Sequence, residues 1–158
     1  MLSFRTPELR FQFRAAAIIE HDGAILLHRA GHEDFWTLPG GRVEAGESAQ
    51  HTVAREFFEE LGEALVVGEL AVVVENFFTY NAEHYHELGF FFRASLADGS
   101  RLRRGPGPWR GIEPDVALIF QWFDRDAIGS LKVQPAFLQS VLTGPIQGLQ
   151  HVVHRDPG

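Results

Sequence analysis

Residues Gly41–Glu63 read GRVEAGESAQHTVAREFFEELGE, a glycine-led turn running into a helix that carries three glutamates on one side. Ser48 suits the N-cap, where a hydroxyl accepts from an otherwise unpaired backbone N–H of the first turn. Gly62 suits the left-handed residue that closes a helix. Between them Val53, Ala54, Phe57, Phe58 and Leu61 recur at helical spacing and predict a buried stripe. At about 100° per residue, Glu56, Glu59 and Glu60 gather on the opposite side, and Glu47 stands just ahead of the helix. Like charges at i,i+3 and i,i+4 destabilise a helix that has nothing to neutralise them. Their crowding reads as a site for a hard divalent cation, and a cation beside a glycine turn as phosphate chemistry.

Working outward, Phe11–Glu20 reads as a strand, Asp22-Gly23 as a hairpin turn and Ala24–His28 as the returning strand. Phe35–Leu38 is a short extended piece stopped by Pro39-Gly40-Gly41. After the helix, 65–80 reads as a strand with Gly68 as a bulge or break, and 86–96 as another, ending at Asp98-Gly99. Residues 101–114 mix glycine, proline and arginine and read as an irregular loop. A strand over 116–123, a short helix from Asp124 through Leu131, a last helix with Pro135 in its first turn, and a terminal strand over 150–154 complete the pattern. Strands and helices alternate without a regular βαβ rhythm. The expected class is therefore α/β (α+β), a mixed sheet flanked by helices in an α/β/α sandwich.

The chain has 158 residues, 45% of them apolar, enough for one domain, 1–158, with its own core. Fourteen phenylalanines against one methionine predict aromatic packing. A net charge of −7 argues against nucleic-acid polymers and anionic membranes as partners. The absence of cysteine excludes disulfides and thiolate metal sites and is compatible with a reducing cytoplasm, the expected location. No apolar run approaches the ~18 residues of a membrane span, and the charged N-terminal stretch does not read as a secretory signal.

The spacing through the opening stretch is Gly41, five residues, Glu47, seven residues, Arg55-Glu56-Phe57, one residue, Glu59-Glu60, one residue, Gly62, preceded by Trp36-Thr37-Leu38-Pro39-Gly40. It resembles the signature of the Nudix (MutT) hydrolases, which cleave nucleoside diphosphates linked to another group. One position departs: Glu63 stands where the family carries an aliphatic residue, so Ala64 or Leu65 is expected to take over the packing there.

The resemblance implies a Nudix-type α/β/α sandwich and a Mg2+-dependent pyrophosphohydrolase, with Mn2+ able to substitute. It implies Glu56, Glu59 and Glu60 as metal ligands, with the Gly40 carbonyl as an extra oxygen. Glu56 or Glu59 would orient or deprotonate water, Glu56 being preferred, and Arg55 would pair with Glu47 to fix the loop against the helix. An acid from outside the motif completes the metal set in this family. Glu113 is preferred over Asp115, Glu83 and Glu87.

Substrate choice is expected elsewhere. Tyr80 lies where dinucleoside polyphosphate hydrolases carry a marker tyrosine. Arg104 and Trp109, in the cluster with Arg101, Arg103 and Arg110, are candidates to grip phosphate and stack on a base. No proline occurs between Pro39 and Pro106, which weakens an ADP-ribose reading. His84 and His86 match no zinc spacing, and His151 and His154 are expected at the surface. The substrate is read as a small nucleotide, of dinucleoside polyphosphate or nucleotide-sugar type. Two alternatives are kept: hydrolysis of nucleoside triphosphates, oxidised ones included, and nucleotide sensing without turnover. A homodimer is compatible with all three.

Overall fold

The computed structural model describes residues 1–156; residues 157 and 158 of the expected domain lie outside the described residues. Strand β1 (Ser3–Arg5) leads into β2 (Arg10–His21), β3 (Ala24–Ala30), β4 (Gly40–Arg42) and helix α1 (Ala49–Leu61). Then come β5 (Leu65–Tyr80), β6 (Glu83–Leu96), a 3-10 turn (Arg101–Arg104), β7 (Trp109–Arg110) and β8 (Leu118–Asp124). Helices α2 (Arg125–Ile128) and α3 (Leu138–Thr143) and strand β9 (Gln150–Arg155) close the described chain.

The main sheet runs β7-β8-β3-β2-β6-β5-β9, with β1 and β4 paired to β2 off that path. β2 and β6 are parallel, as are β5 and β9, and the other pairs are antiparallel. The sheet is mixed, as expected. Asp22 and Gly23 both have positive φ, 50° and 78°, the geometry of a two-residue hairpin turn. A second such turn at Asn81-Ala82, φ 50° and 63°, lets β6 start at Glu83, three residues before the expected His86. The register of β5 shifts between Val67 and Leu70, so Gly68 does sit at a bulge.

β2 shows why both faces of the sheet are covered. Side chains alternate across a strand, and every residue from Ala15 to Ile19 is buried. Ala15, Ala17 and Ile19 join Val53, Phe57 and Leu61 of α1, with Phe92, Phe120 and Trp122, in one cluster. Ala16 and Ile18 join Val72, Val74, Phe91, Ile128, Leu138 and Leu142 in the other, beneath α2 and α3. Burial of a side chain such as Phe57 contributes roughly 1.5–3 kcal/mol.

Three expectations need correction. Phe58 is 61% exposed, because the buried stripe of α1 is Thr52, Val53, Phe57, Glu60 and Leu61. The helix after Asp124 is a single turn that stops at Ile128, and Asp124 makes no side-chain capping bond. The last helix starts at Leu138, three residues after Pro135. None of the helices among the described residues is long and apolar enough to cross a membrane.

Candidate active site

The site grows from the two ends of the opening stretch. Ser48 caps α1 by accepting from the His51 N–H at 3.2 Å. Gly62 closes it at φ 70°, its N–H donating to the Phe58 carbonyl. Ahead of the helix, Gly40 and Gly41 pair with Ala16 and Ala15 of β2. The packing tolerates only glycine at Gly40, where a Cβ meets the backbone of β2, while at Gly41 a Cβ meets the side chain of Glu56. A Cβ at Gly40 would lie 2.1 Å from the Ala15 carbonyl oxygen, and one at Gly41 2.3 Å from Cδ of Glu56.

Arg55 organises the acids. Its Nε and Nη2 donate to the two oxygens of Glu47 at 2.6 and 3.0 Å, a two-pronged pairing that fixes geometry as well as charge. Its Nη1 reaches Glu56 at 3.0 Å and Glu59 at 3.2 Å. Nη2 also donates to the Arg42 carbonyl at 3.4 Å. Glu47 in turn accepts from the Thr52 hydroxyl at 2.6 Å and the Glu44 N–H at 3.2 Å. The expected Arg55–Glu47 pair thus ties loop to helix. Hydrogen bonding from Arg55 holds the Glu47 carboxyl down at about 2 and raises the Arg55 guanidinium above its ordinary range.

Glu60 behaves differently from the exposed acid that helical periodicity predicts. It is 5% exposed, and burial, reinforced by the charge of Glu56, pushes its carboxyl up to about 9. Burial likewise raises Glu56, against the pull of Arg55. Oε2 of Glu60 is buried with no hydrogen-bond partner, and so is Nδ1 of His28, 3.9 Å away. His28, which no spacing or motif singles out, is held neutral: burial first, then the charge of Arg14, depresses it to about 3.

Among the described residues no three acidic or imidazole side chains are grouped as a metal-holding set, and the Arg55 guanidinium stands between Glu56 and Glu59. The donor set nevertheless fits a hard divalent cation. An orphaned buried carboxylate oxygen, two mutually repelling glutamates and a backbone stripped of Cβ atoms converge on one mouth, and all offered atoms are oxygens.

These groups open into a cleft of about 730 Å³, lined by Gly40, Glu56, Glu60, Tyr80 and Glu113 together with the basic residues Arg14, Arg29, Arg42 and Lys132. Glu113 is brought in by main chain. The Ile112 N–H donates to the Glu60 carbonyl at 2.7 Å and the Gly111 N–H to Leu118 at 2.9 Å. Glu59 is 46% exposed at its side chain and stands beside the mouth. Of the alternative acids, Glu83 is taken up by Arg5 at 2.8 Å and Arg10 at 3.4 Å, Asp115 is exposed, and Glu87 lines the cleft.

Arg104 and Trp109 are not among the lining residues. Trp109 packs against the α1-side core with the Arg101 guanidinium 5.6 Å from its ring, and Arg104 points outward from the 3-10 turn. The neighbouring arginines satisfy chain ends instead: Arg101 donates to the Leu61 carbonyl at 3.0 Å and Arg103 to Leu96 at 2.9 Å. Glu63, at the departing position, accepts from the Ser100 hydroxyl at 2.6 Å and the Arg101 N–H at 3.2 Å. Leu65 packs on the α1-side cluster as expected. His154, expected at the surface, is half-buried and lines the cleft.

A family model of the NUDIX domain matches residues 10–141. YvcI of Bacillus subtilis, an uncharacterised Nudix hydrolase, is 31% identical over 139 residues, covering 85% of this chain and 80% of its own. The CTP pyrophosphohydrolase of Escherichia coli is 48% identical over 58 residues, 34% of this chain and 43% of its own. The crystal structure of a UDP-X diphosphatase matches with a TM-score of 0.66 and 25% identity, covering 94% of this chain and 68% of that one. The chain spans about half the length of the first curated relatives it matches. With the motif, the mixed sheet and the family model all in agreement, the chain belongs to the Nudix family.

Proposed function

We propose that this chain hydrolyses a phosphoric anhydride bond in a small nucleotide, a nucleoside diphosphate linked to another group. The observation that carries the reading is the fan of Glu47, Glu56 and Glu59 around Arg55, set with buried Glu60 at the mouth of a cleft whose wall also carries Arg14, Arg29, Arg42 and Lys132. Glu56, Glu59, Glu60, the Gly40 carbonyl and Glu113 would hold Mg2+, or Mn2+ in its place. When bound, the cation supplies charge neutralisation at the phosphates and helps to activate water.

The chain's own residues do the rest. Arg14, Arg29 and Arg42 bind phosphate oxygens from the cleft wall. Arg14 has no carboxylate ion pair among the described residues and is free for that role. Glu56, raised by burial, takes the proton as the water oxygen bonds to phosphorus and the bridging P–O bond breaks. Arg55 keeps Glu56 and Glu59 in place throughout, a positioning role. Tyr80 meets the far part of the substrate.

The likeness to a UDP-X diphosphatase supports a diphosphate substrate. The likeness to a CTP pyrophosphohydrolase supports triphosphate hydrolysis as the second reading. A panel of nucleotide sugars, dinucleoside polyphosphates and nucleoside triphosphates, assayed with Mg2+ for monophosphate, phosphate and pyrophosphate, separates the two. Turnover that survives unchanged in Glu59→Gln sinks the metal assignment. Tight nucleotide binding without turnover moves the chain to the sensor reading.

A further inference from the structure

His28 stands behind the cation mouth and has no role in the chemistry proposed so far. Its Nδ1 and Oε2 of Glu60 lie 3.9 Å apart. Both atoms are sealed from water, and neither has a hydrogen-bond partner. A buried polar atom left unpaired costs free energy, so two that face one another across a small gap mark a contact the fold has prepared. A shift of about 1 Å brings them to hydrogen-bond length.

The two sides of the gap differ in freedom. His28 is fixed through both its main chain and its ring. Its N–H donates to the Thr37 carbonyl and its carbonyl accepts from the Thr37 N–H, both at 2.9 Å. These bonds tie β3 to the segment that runs into Gly40. The imidazole packs 5.1 Å from the ring of Phe120, and Phe120 meets Phe57 edge-on at 6.4 Å. Phe57 lies on α1 one turn before Glu60, so the imidazole is held at a set depth beneath that helix. Glu60 has the longer, unbranched side chain and is the partner that adjusts.

Both residues line the cleft. With Oε2 buried against His28, Oε1 is the oxygen of Glu60 left to face the cleft. A carboxylate that ligates a cation is ionised and only accepts hydrogen bonds. The nitrogen facing Oε2 must then carry the ring proton, which assigns the Nδ1–H tautomer. We propose that His28 is a positioning residue for the candidate cation site: its Nδ1–H donates to Oε2 of Glu60 and turns Oε1 toward the cation. Carboxylates in metal sites are themselves held by hydrogen bonds, and loss of that support weakens metal binding. The inference rests on the metal reading above and adds the group that aims one of its ligands. His28 touches neither cation nor substrate in this assignment and acts through Glu60.

Calorimetric titration of the nucleotide-free protein with Mg2+ tests this without turnover. His28→Leu should raise the Mg2+ Kd about tenfold or more. His28→Asn, whose amide nitrogen falls where Nδ1 stood, should stay within about threefold of native. His28→Gln, whose amide nitrogen matches Nε2 instead, should lose as much as His28→Leu and carries the test if the leucine variant does not fold. In a Glu60→Gln background, His28→Leu should change the Mg2+ Kd little, because the pair acts as one unit. The metal-free Tm of His28→Leu should be no lower than native, since an unpartnered polar atom has been replaced by an apolar group. A merely structural histidine predicts the reverse, a lower Tm with the Mg2+ Kd unmoved. An unchanged Kd in His28→Leu, equal losses in His28→Asn and His28→Gln, or a full loss that persists beside Glu60→Gln overturns the assignment. Mg2+ bound equally by native and His28→Leu leaves the hydrolase reading standing without His28. No binding of Mg2+ or Mn2+ by the native protein removes the metal reading and this inference together.

Discussion

Replacing Arg55 by methionine keeps the length of the stem and removes its charge and every donor. Glu47 then stands 10% exposed at its side chain, with Thr52 and the Glu44 N–H as its remaining donors. In the native protein, Arg55 first and foremost holds the Glu47 carboxyl down from 4.5 to about 2. At about 1.36 kcal/mol per pH unit this corresponds to roughly 3 kcal/mol of stability. The sign follows from a depressed acid: the contribution is complete above pH 4.5 and is lost as the pH falls through about 2. Thr52 and the Glu44 N–H keep part of that depression in the variant, so Arg55→Met should cost about 2 kcal/mol at pH 7, measured by urea unfolding, and the gap to the native protein should close as the pH falls below 4.5. In a double-mutant cycle, Glu47→Gln should cost much less in the Arg55→Met background than alone, with a coupling of at least about 1.5 kcal/mol. A cost below about 1 kcal/mol at pH 7, or one that stays constant down to pH 3, would refute the reasoning.

Gly41→Ala and Gly40→Ala should separate chemistry from folding. The Gly41 Cβ meets only the movable side chain of Glu56, whereas the Gly40 Cβ meets the backbone of β2. The first should leave thermal unfolding within about 1 kcal/mol of native and reduce turnover about a hundredfold or more; the second should fail to fold. Buried Glu60, pushed up to about 9, costs the metal-free protein stability as pH rises from 4.5 toward 9. Glu60→Gln should then stabilise the metal-free protein at pH 8. Mg2+ at a hundredfold excess over its Kd should stabilise the native protein by about 2.7 kcal/mol, seen as a raised Tm, and the Glu60→Gln variant less. Steady-state kinetics should show KM rising with Tyr80→Ala and unmoved by Arg104→Ala, which lies outside the cleft. Ser48→Ala should lower stability by about 1 kcal/mol through loss of the α1 cap.

Much of the fold was legible because its signals are local. The caps at Ser48 and Gly62, the Asp22-Gly23 turn and the span of β5 each follow from residues within a few positions of one another. What stayed hidden depends on neighbours distant in sequence. Periodicity treats a helix as having one buried side, but α1 packs on β2 and β4 together, so Glu60 on its flank is buried while Phe58 is not. The arginines of 101–104 read as phosphate grips because only their charge is visible in sequence. Arg101 and Arg103 instead serve the Leu61 and Leu96 carbonyls, which no side-chain pattern announces. Gln12, Glu87, Asn76 and His154, which stand in register on adjacent strands, could be assigned to strands but not to one another, since strand order and register bring them together. His28 was missed because a lone histidine in an apolar strand carries no spacing signal.

The bond from the Ile112 N–H to the Glu60 carbonyl has a consequence for how this architecture can diversify. It hangs the segment bearing Glu113 from the last turn of the same helix that carries the acidic motif, and the attachment uses only backbone atoms. The distance between the helical acids and the outlying one is therefore set by a peptide-to-peptide clasp, whatever side chains lie between. The exposed residues Arg103, Arg104, Pro106 and Pro108 can change character while that distance holds, whereas Leu102 and Trp109 stay tied to the core. The candidate site is held apart from those exposed positions, which leaves them open to variation at little risk to its geometry.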